Sequence, residues 1–265
     1  MNATLFKKEL KSNWLLLVIF LAVLSVYGSM ITIMFDPKMG DSLKLMAESM
    51  PGIFSAFGMT NPGTTLLQFV SSYLYGWLFI GFPGVFIIIL TNRLSAKYVD
   101  NGSMAYLLAA PVKRWRIMLT QAVFMILCLV IMVGFATGLI LAFSEGIFPG
   151  EMEIKAFLRV NIGLLGLLVF LGGVGFCASC FCNESKYSSS ISTAVLVYSL
   201  LAQMLSRVGD KFENLKYATP LTLFNVDGLG AGDSEAWITC IILYAAGLVL
   251  IGIGIVRFSK RDLPL

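Results

Sequence analysis

Three cysteines within six residues form the pattern in this sequence that most suggests chemistry. Cys177, Cys180 and Cys182 give C-x-x-C-x-C, and cysteine thiolates are strong ligands of zinc. A structural zinc site needs four ligands, however, and the chain has no histidine, while Cys128 and Cys240 fall in separate apolar stretches. We therefore interpret the three cysteines as small, buried apolar residues, without a metal site or a disulfide framework.

A second stretch, DGLGAGDS at residues 227–234, has the glycines and acids of a calcium-binding loop. It lacks the terminal glutamate and the ligand spacing that such loops require, so we expect a flexible external turn. No G-x-x-x-x-G-K-[ST] phosphate loop occurs in the chain, which argues against ATP binding by this polypeptide. We predict no catalytic residue, no metal site and no cofactor in this chain.

Composition indicates the elements that carry these residues. The 265 residues are 58% hydrophobic and 13% charged, with a mean hydropathy of +0.86, whereas soluble domains are about half apolar and a quarter charged. Because a helix needs roughly 20 apolar residues to cross a bilayer, we predict an all-α polytopic membrane protein with six transmembrane helices in one domain. The predicted spans are residues 14–34, 66–90, 117–143, 161–181, 188–205 and 236–256.

Lysine and arginine residues predict the orientation of these spans. With a cytoplasmic N-terminus, the cytoplasmic segments hold twelve of the nineteen cations but only four of the fifteen acids, as the positive-inside rule requires. Both termini are therefore predicted to be cytoplasmic. The same asymmetry explains the net charge of +4, so nucleic acid is not implied as a partner.

Residues 1–13 are basic and partly apolar. Leu5, Phe6 and Leu10 lie near one side of a helix, with the lysines largely elsewhere. This pattern predicts an amphipathic helix that lies on the inner leaflet; the alternative is a frayed basic terminus.

The predicted spans carry no Lys, Arg, Asp, Glu or His away from their ends. Ion-coupled carriers use such groups as relays and binding sites, and intramembrane proteases or metal-dependent enzymes need acid pairs, histidine clusters or an activated serine. The sequence therefore argues against these classes. Energy for any transport must come from another chain.

Aromatic residues in the second span are candidates for lining a cargo path. Tyr73, Tyr75 and Trp77 offer rings and hydrogen-bonding groups to an amphipathic molecule. The tyrosines are equally placed for the outer aromatic belt of a membrane protein, whereas Trp77 lies deeper than a belt residue should. Glycines predict a smooth packing face on the fourth span; they are Gly163, Gly166, Gly172, Gly173 and Gly175.

The longest predicted cytoplasmic loop, residues 91–116, contains DNGSMAYLLAAPVKRWR. Asp100, Asn101 or Ser103 is suited to cap a short helix, which Pro111 would end. An exposed apolar face is expected from Met104, Tyr106, Leu107 and Leu108. Such a helix fits a groove on a soluble partner; the alternative is a helix that rests on the inner leaflet.

This loop resembles that of the type-2 permeases of ABC transporters. Their pattern, acidic-x-G-[ST]-x-x-x-L-L-x-x-P-[VI]-x-R, is similar to DNGSMAYLLAAPVKR, with Asp100 in place of the family glutamate. The matching residues are Asp100, Gly102, Ser103, Leu107, Leu108, Pro111, Val112 and Arg114. The stretch NLKYATPLTLF and the tail FSKRDLPL are also similar to the family, so the resemblance spans the chain.

The resemblance implies a type-2 ABC exporter transmembrane domain that pairs with a second permease copy, or a similar sister subunit, and with two copies of an ATPase subunit. ATP and Mg would bind in the ATPase. Spans one, two and five would line the path and the dimer seam, and residues 206–235 would form an extracellular re-entrant loop. By the same resemblance, the loop between spans two and three would couple ATP-driven closure of the ATPase to movement of the spans, and we call residues 100–114 the predicted coupling segment. The implied ATPase contacts are Asp100, Asn101, Gly102, Ser103, Met104, Tyr106, Leu107, Leu108, Pro111 and Arg114.

We expect a multi-pass protein located in the cell membrane of a bacterium, with the lipid bilayer as a partner. An uncharged interior that contains aromatic and methionine residues favours amphipathic or hydrophobic peptides as cargo, of the antimicrobial or cytolytic type. Drugs or lipid-linked molecules are the alternative cargo. A membrane scaffold or sensor without transport is the alternative function.

Overall fold

The computed structural model describes residues 2–36, 49–50, 65–104, 112–207 and 210–261. These residues are mostly helical and include no strand. Helices α1 to α9 comprise Ala3–Met34, Leu66–Leu74, Leu78–Thr91, Lys97–Asp100, Arg114–Ile147, Ile154–Phe181, Ser185–Ser206, Val226–Ala231 and Ser234–Lys260. A π-helix, Asn92–Ala96, joins α3 to α4, and two 3-10 helices, Asp210–Ala218 and Pro220–Leu223, lie between α7 and α8.

Six helical segments of the described chain are long and apolar enough to cross a membrane. They are α1, the continuous run Leu78–Asp100, α5, α6, α7 and α9. The predicted all-α polytopic architecture with six membrane helices is thereby confirmed. The cytoplasmic location of both termini stays a prediction.

The second span begins and ends later in the chain than residues 66–90. Helix α2 ends at Leu74, a turn follows at residues 75–77, and the helix then runs from Leu78 to Asp100. Gly76 has a low helix propensity, which favours the break. The later end has a packing cause: Leu94 and Val99 are buried while Arg93 and Lys97 are exposed, so the charged stretch that predicted a loop at residues 91–100 is one amphipathic helix.

The N-terminal residues continue directly into the first span. Asn2 caps α1, because its Oδ1 accepts hydrogen bonds from the backbone N–H groups of Thr4 and Leu5 at 3.1 and 3.3 Å. One helix then runs from Ala3 to Met34, so residues 3–13 do not form a separate helix. The buried side of its first turns contains Leu5, whereas Leu10, expected near the same side, is exposed.

Helix α6 lies at the centre of the bundle, packed against α3, α5, α7, α8 and α9. Its glycines allow the predicted close approach of a neighbouring helix. A Cβ atom at Gly173 would lie 2.6 Å from the carbonyl oxygen of Gly247 in α9, and one at Gly247 would lie 2.8 Å from the carbonyl oxygen of Val169. The two backbones are therefore in direct contact.

Side-chain contacts identify two ends of the bundle. The proximal end, as we call it, contains the start of α1, where the N–H of Asn2 donates to Thr120 at 2.9 Å. It also contains the end of α9, where Arg261 donates to the carbonyl oxygens of Cys180 and Cys182 beside the turn between α6 and α7. The distal end contains Phe35, whose ring packs against Phe69 and Phe148 at 5.5 and 5.3 Å, and the segment from 210 to 232.

Short helices are found in the predicted re-entrant segment, residues 206–235, where Leu221 and Leu229 are buried. DGLGAGDS is not the flexible turn that its composition predicted. Its first residues belong to α8, which Asn225 caps by accepting a hydrogen bond from the N–H of Gly228 at 3.0 Å. Gly232 ends α8 with a φ of 88°, a conformation that favours glycine.

Candidate coupling end and distal cavities

The π-helix of the second span is joined to the fifth span by one side chain. The Asn92 amide donates to Ser189 Oγ at 2.7 Å, and Ser185 Oγ donates to Asn92 Oδ1 at 2.9 Å. Extra-residue turns of this kind are frequent at functional sites because they reorient side chains within a helix. Here the π-helix directs the side-chain amide of Asn92 toward α7, where both its donor and its acceptor are used. This side chain therefore connects the two spans at the proximal end.

Ser95, in the same π-helix, contacts the third and fourth spans. Its hydroxyl donates to the carbonyl oxygen of Ser179 at 3.4 Å and lies 3.9 Å from the sulfur of Met118. All three residues are fully buried. The second span is thus fixed to α5 and α6 immediately before the predicted coupling segment.

Glu9 and Tyr98 form the most polar contact between α1 and the second span. The Tyr98 hydroxyl donates to Oε1 of Glu9 at 2.8 Å, and the Asn13 amide donates to Oε2 at 3.1 Å. Lys8 lies over the Tyr98 ring, with its ammonium 4.8 Å from the ring centroid. Glu9 is only 1% exposed, so these partners compensate its lost hydration.

The predicted ATPase contacts begin two residues after Tyr98. Asp100 is exposed and is the last residue of α4, and Asn101 caps the C-terminal end of that helix, so neither starts a helix as expected. Gly102 follows with a φ of 66°, and Ser103 donates to the carbonyl oxygen of Tyr98 at 3.4 Å. This geometry ends the second span sharply.

Met104 departs from the prediction most clearly. It was expected on an exposed apolar face and is instead fully buried in the core of the bundle. The expected exposure of Met104 is therefore wrong, while its contact with an ATPase stays a prediction. Tyr106, Leu107, Leu108 and Pro111 lie outside the described residues.

Two arginines connect the start of the third span to the C-terminal end of the chain. Arg114 donates to the carbonyl oxygen of Arg261 at 2.9 Å. The Arg261 guanidinium donates in turn to the carbonyl oxygens of Cys180 and Cys182, at 2.8 and 3.2 Å. A cation at this position satisfies carbonyl groups at the end of α6 and opposes the negative end of its dipole.

Two cysteines of the C-x-x-C-x-C pattern, Cys180 and Cys182, therefore belong to this proximal network through their backbone. Their thiols are free, Cys180 is buried, and its sulfur lies 4.0 Å from that of Met118. Burial raises the pKa of Cys182, which follows α6, and this favours the protonated thiol over the metal-binding thiolate. No cluster of three potential metal ligands occurs among the described residues.

The three aromatic candidates for a cargo path lie in different environments. Tyr75 is 2% exposed, and its hydroxyl donates to Oδ1 of Asn161 at 2.8 Å. Tyr73 is half-buried against Phe69, with ring centroids 4.6 Å apart, and Trp77 is 43% exposed. Tyr75 is therefore too deeply buried for an outer aromatic belt. Of the three, only Tyr75 lines one of the cavities described below.

Two adjoining cavities, of about 310 and about 350 Å³, lie at the distal end. They share Ser71, Val226 and Asp227, and we call them the first and second distal cavity. The first is lined by Tyr75 and Arg207 as well. Burial lowers the pKa of Arg207 while Asp227 opposes that effect, and arginine side chains are not deprotonated in proteins.

Comparison with known protein families identifies the chain. The family model described as ABC-2 family transporter protein matches residues 5–263. The chain belongs to the ABC-2 family. Searches of curated proteins and of solved structures found no match. As a member of this family, the protein is the membrane permease subunit of an ABC transporter and a multi-pass membrane protein.

Three functional candidates of the permease were missed by the sequence reasoning, Glu9, Tyr98 and Asn161, whereas Tyr75 was among its candidates. Glu9 and Tyr98 are 89 positions apart, and Tyr75 and Asn161 are 86 apart. The available signals were Glu9, a single acid among the N-terminal lysines, and Asn161, an asparagine at the edge of a glycine-rich span. Neither signal names its partner, because both pairs depend on how the helices of the permease pack.

Proposed function

We propose that this permease is the transmembrane subunit of an ATP-driven exporter with cytoplasmic termini, located in a bacterial cell membrane. It works with a second permease copy and with two copies of a separate ATPase subunit that bind Mg-ATP. The proximal end faces the cytoplasm in this proposal, because that end contains most of the cations of the chain.

The observation that carries the proposal is the hydrogen-bond network around the predicted coupling segment. Residues on its N-terminal side contact α1 through Tyr98 and the fourth span through Ser95. On its C-terminal side, Arg114 contacts the end of α9. A displacement of residues 100–114 by an ATPase would therefore act on several spans together, which is what alternating access requires.

We infer that the cargo is an amphipathic or hydrophobic peptide, of the antimicrobial or cytolytic kind. Support comes from spans without Lys, Arg, Asp, Glu or His in their middle and from aromatic and hydroxyl groups near the distal cavities. Drugs or lipid-linked molecules are the alternative cargo. A scaffold or sensor that does not transport is the alternative function, and it needs no ATPase.

The test of energetics is reconstitution of the permease with a candidate ATPase, such as the product of a neighbouring gene. We expect ATP-dependent peptide transport and ATP hydrolysis that both fall at least tenfold in a double variant, Leu107→Asp with Leu108→Asp. Tyr187→Asp is the matched control, because Tyr187 is an exposed apolar residue at the same end of the bundle. Transport that proceeds without nucleotide would refute the proposal.

The test of cargo compares three substrates in the same vesicles: an amphipathic Leu/Lys peptide, a hydrophobic cationic dye and a lipid-linked sugar. Peptide transport that exceeds dye and lipid transport supports the proposed class. Faster movement of the dye or the lipid would reassign the cargo. Absence of nucleotide-dependent movement of all three, with an ATPase bound, would favour the scaffold.

A further inference from the structure

We infer that the two distal cavities together bind the carboxyl-terminal end of a cationic amphipathic peptide. The terminal carboxylate pairs with Arg207, and a nearby ammonium group of the peptide lies toward Asp227 and Glu153. This inference rests on the peptide cargo proposed above. It adds a binding site, the chemical groups that the site recognises and the residues that recognise them.

Arg207 supplies the anion-binding half of the site. Its guanidinium is partly buried at the end of α7 and lines the first distal cavity. Among the described residues Asp227 acts on it through its charge, without a side-chain hydrogen bond. A partly buried cation whose N–H groups lack a hydrogen-bonded carboxylate favours binding of an anion, and a carboxylate matches the two parallel N–H groups of arginine.

Two acids supply the cation-binding half. Asp227 lines both cavities and Glu153 lines the second, in which no described lysine or arginine takes part. The charge along the cavities therefore changes from positive at Arg207 to negative at Glu153. A ligand that carries a carboxylate and an ammonium a short distance apart fits this order, whereas a purely anionic ligand is repelled by the acids.

The lining favours a peptide over a lipid headgroup. Eight of the eleven residues that line the first cavity carry a hydroxyl, amide or charged side chain. Such groups are suited to peptide main-chain amides, whereas the acyl chains of a lipid need an adjoining apolar lining. Each cavity is also at the lower end of the usual volume for a small-ligand site, about 300–1,000 Å³, so the pair accommodates a peptide terminus.

The experiment measures equilibrium binding to the full-length permease in phosphatidylcholine nanodiscs, without ATP or an ATPase. The probes are an amphipathic Leu/Lys peptide with a fluorescent label at its amino terminus, either with a free carboxyl terminus or with a carboxyl-terminal amide. We expect the free acid to bind the wild-type permease roughly tenfold more tightly than the amide, as a charge-assisted hydrogen bond predicts. We expect Arg207→Gln to remove this difference in affinity, and Asp227→Asn to weaken the binding of both probes.

Lys155→Gln is the matched control, because Lys155 is an exposed cation near the same end that lines neither cavity. We expect the Lys155→Gln variant to keep the preference for the free acid. The Arg207→Lys variant, which retains the charge but not the paired N–H groups, should keep part of that preference. Each variant is also compared with the wild type in thermal unfolding, so that loss of binding is separated from loss of folding.

Equal affinity of the two probes for the wild type overturns the inference, and so does a preference that survives Arg207→Gln. Binding of a phosphatidylethanolamine probe that depends on Arg207 while neither peptide binds would reassign the site to lipid. The binding site and the proposed function can be refuted independently. If the permease transports peptide but does not distinguish the two probes, only the binding site is refuted. If it distinguishes the probes but shows no ATP-dependent transport, only the export function is refuted.

Discussion

The hydroxyl of Tyr98 donates a 2.8 Å hydrogen bond to the carboxyl group of Glu9, which is almost completely buried. The bond joins the first helix to the second span two residues before the predicted coupling segment. Because a hydrogen bond in a low-dielectric site is stronger than one in water, the pair is suited to move as a unit.

Tyr98→Phe is expected to uncouple transport from ATP hydrolysis. The substitution keeps the ring and its contact with Lys8 but removes the donor to Glu9, so movement of the coupling segment reaches α1 less efficiently. The peptide transported per ATP hydrolysed should fall several-fold while hydrolysis continues.

The control for this variant is Tyr187→Phe, at an exposed tyrosine of the proximal end. It should leave the ratio of transport to hydrolysis unchanged. A proportionate loss of transport and hydrolysis in Tyr98→Phe would contradict the role as a mechanical link and would indicate a general loss of folding.

Gly173→Ala is expected to destabilise the permease. The new methyl group would lie 2.6 Å from the carbonyl oxygen of Gly247, and because this neighbour is backbone, α6 and α9 must separate. Overpacking of this kind costs about 1–3 kcal/mol, which thermal unfolding in detergent should register as a lower midpoint.

Gly138→Ala is the matched control, since nothing lies within 4 Å of a Cβ atom at that helical position of α5. Alanine stabilises an open helical position by up to about 1 kcal/mol over glycine. Unfolding midpoints that fall equally in the two variants would show that close packing of α6 on α9 is not the cause.

Tyr75→Phe is expected to cost about 1–3 kcal/mol of unfolding free energy. It leaves Oδ1 of the buried Asn161 without its donor, and an unsatisfied buried acceptor retains its full desolvation penalty. A second variant that combines Tyr75→Phe with Asn161→Leu should recover part of the loss, because both polar partners are then absent. Additive losses in the double variant would contradict this coupling.

Labelling of Cys182 with a membrane-impermeant maleimide tests the orientation. With a cytoplasmic proximal end, Cys182 should stay unlabelled in intact cells and become labelled in inside-out vesicles. Burial raises the pKa of this thiol, and the thiolate is the reactive form, so labelling should be slow near neutral pH and increase as the pH rises past 9.

Cys182→Ser gives the background from the other cysteines, which lie within the spans. Labelling of Cys182 in intact cells would reverse the topology. It would also place the predicted coupling segment outside the cell, where no ATPase could drive it.

The pattern of apolar runs determined the helical class and the number of spans. Each run of roughly 20 apolar residues is sufficient by itself to predict a membrane helix, because the bilayer requires every backbone group to be satisfied within the segment. The glycines of α6 likewise predicted close packing. The five cysteines are free thiols in the structure, and the absence of a metal site stays a prediction from the sequence.

Only the tertiary structure decided which polar residues meet. Residues 91–100 read as a loop because of their charges, yet burial of Leu94 and Val99 makes them helical. Met104 read as exposed and is buried. Glu9 meets Tyr98, Asn161 meets Tyr75, and Arg207 lines a cavity with Asp227. Such pairs depend on the rotation and depth of helices far apart in the chain, which local periodicity does not determine.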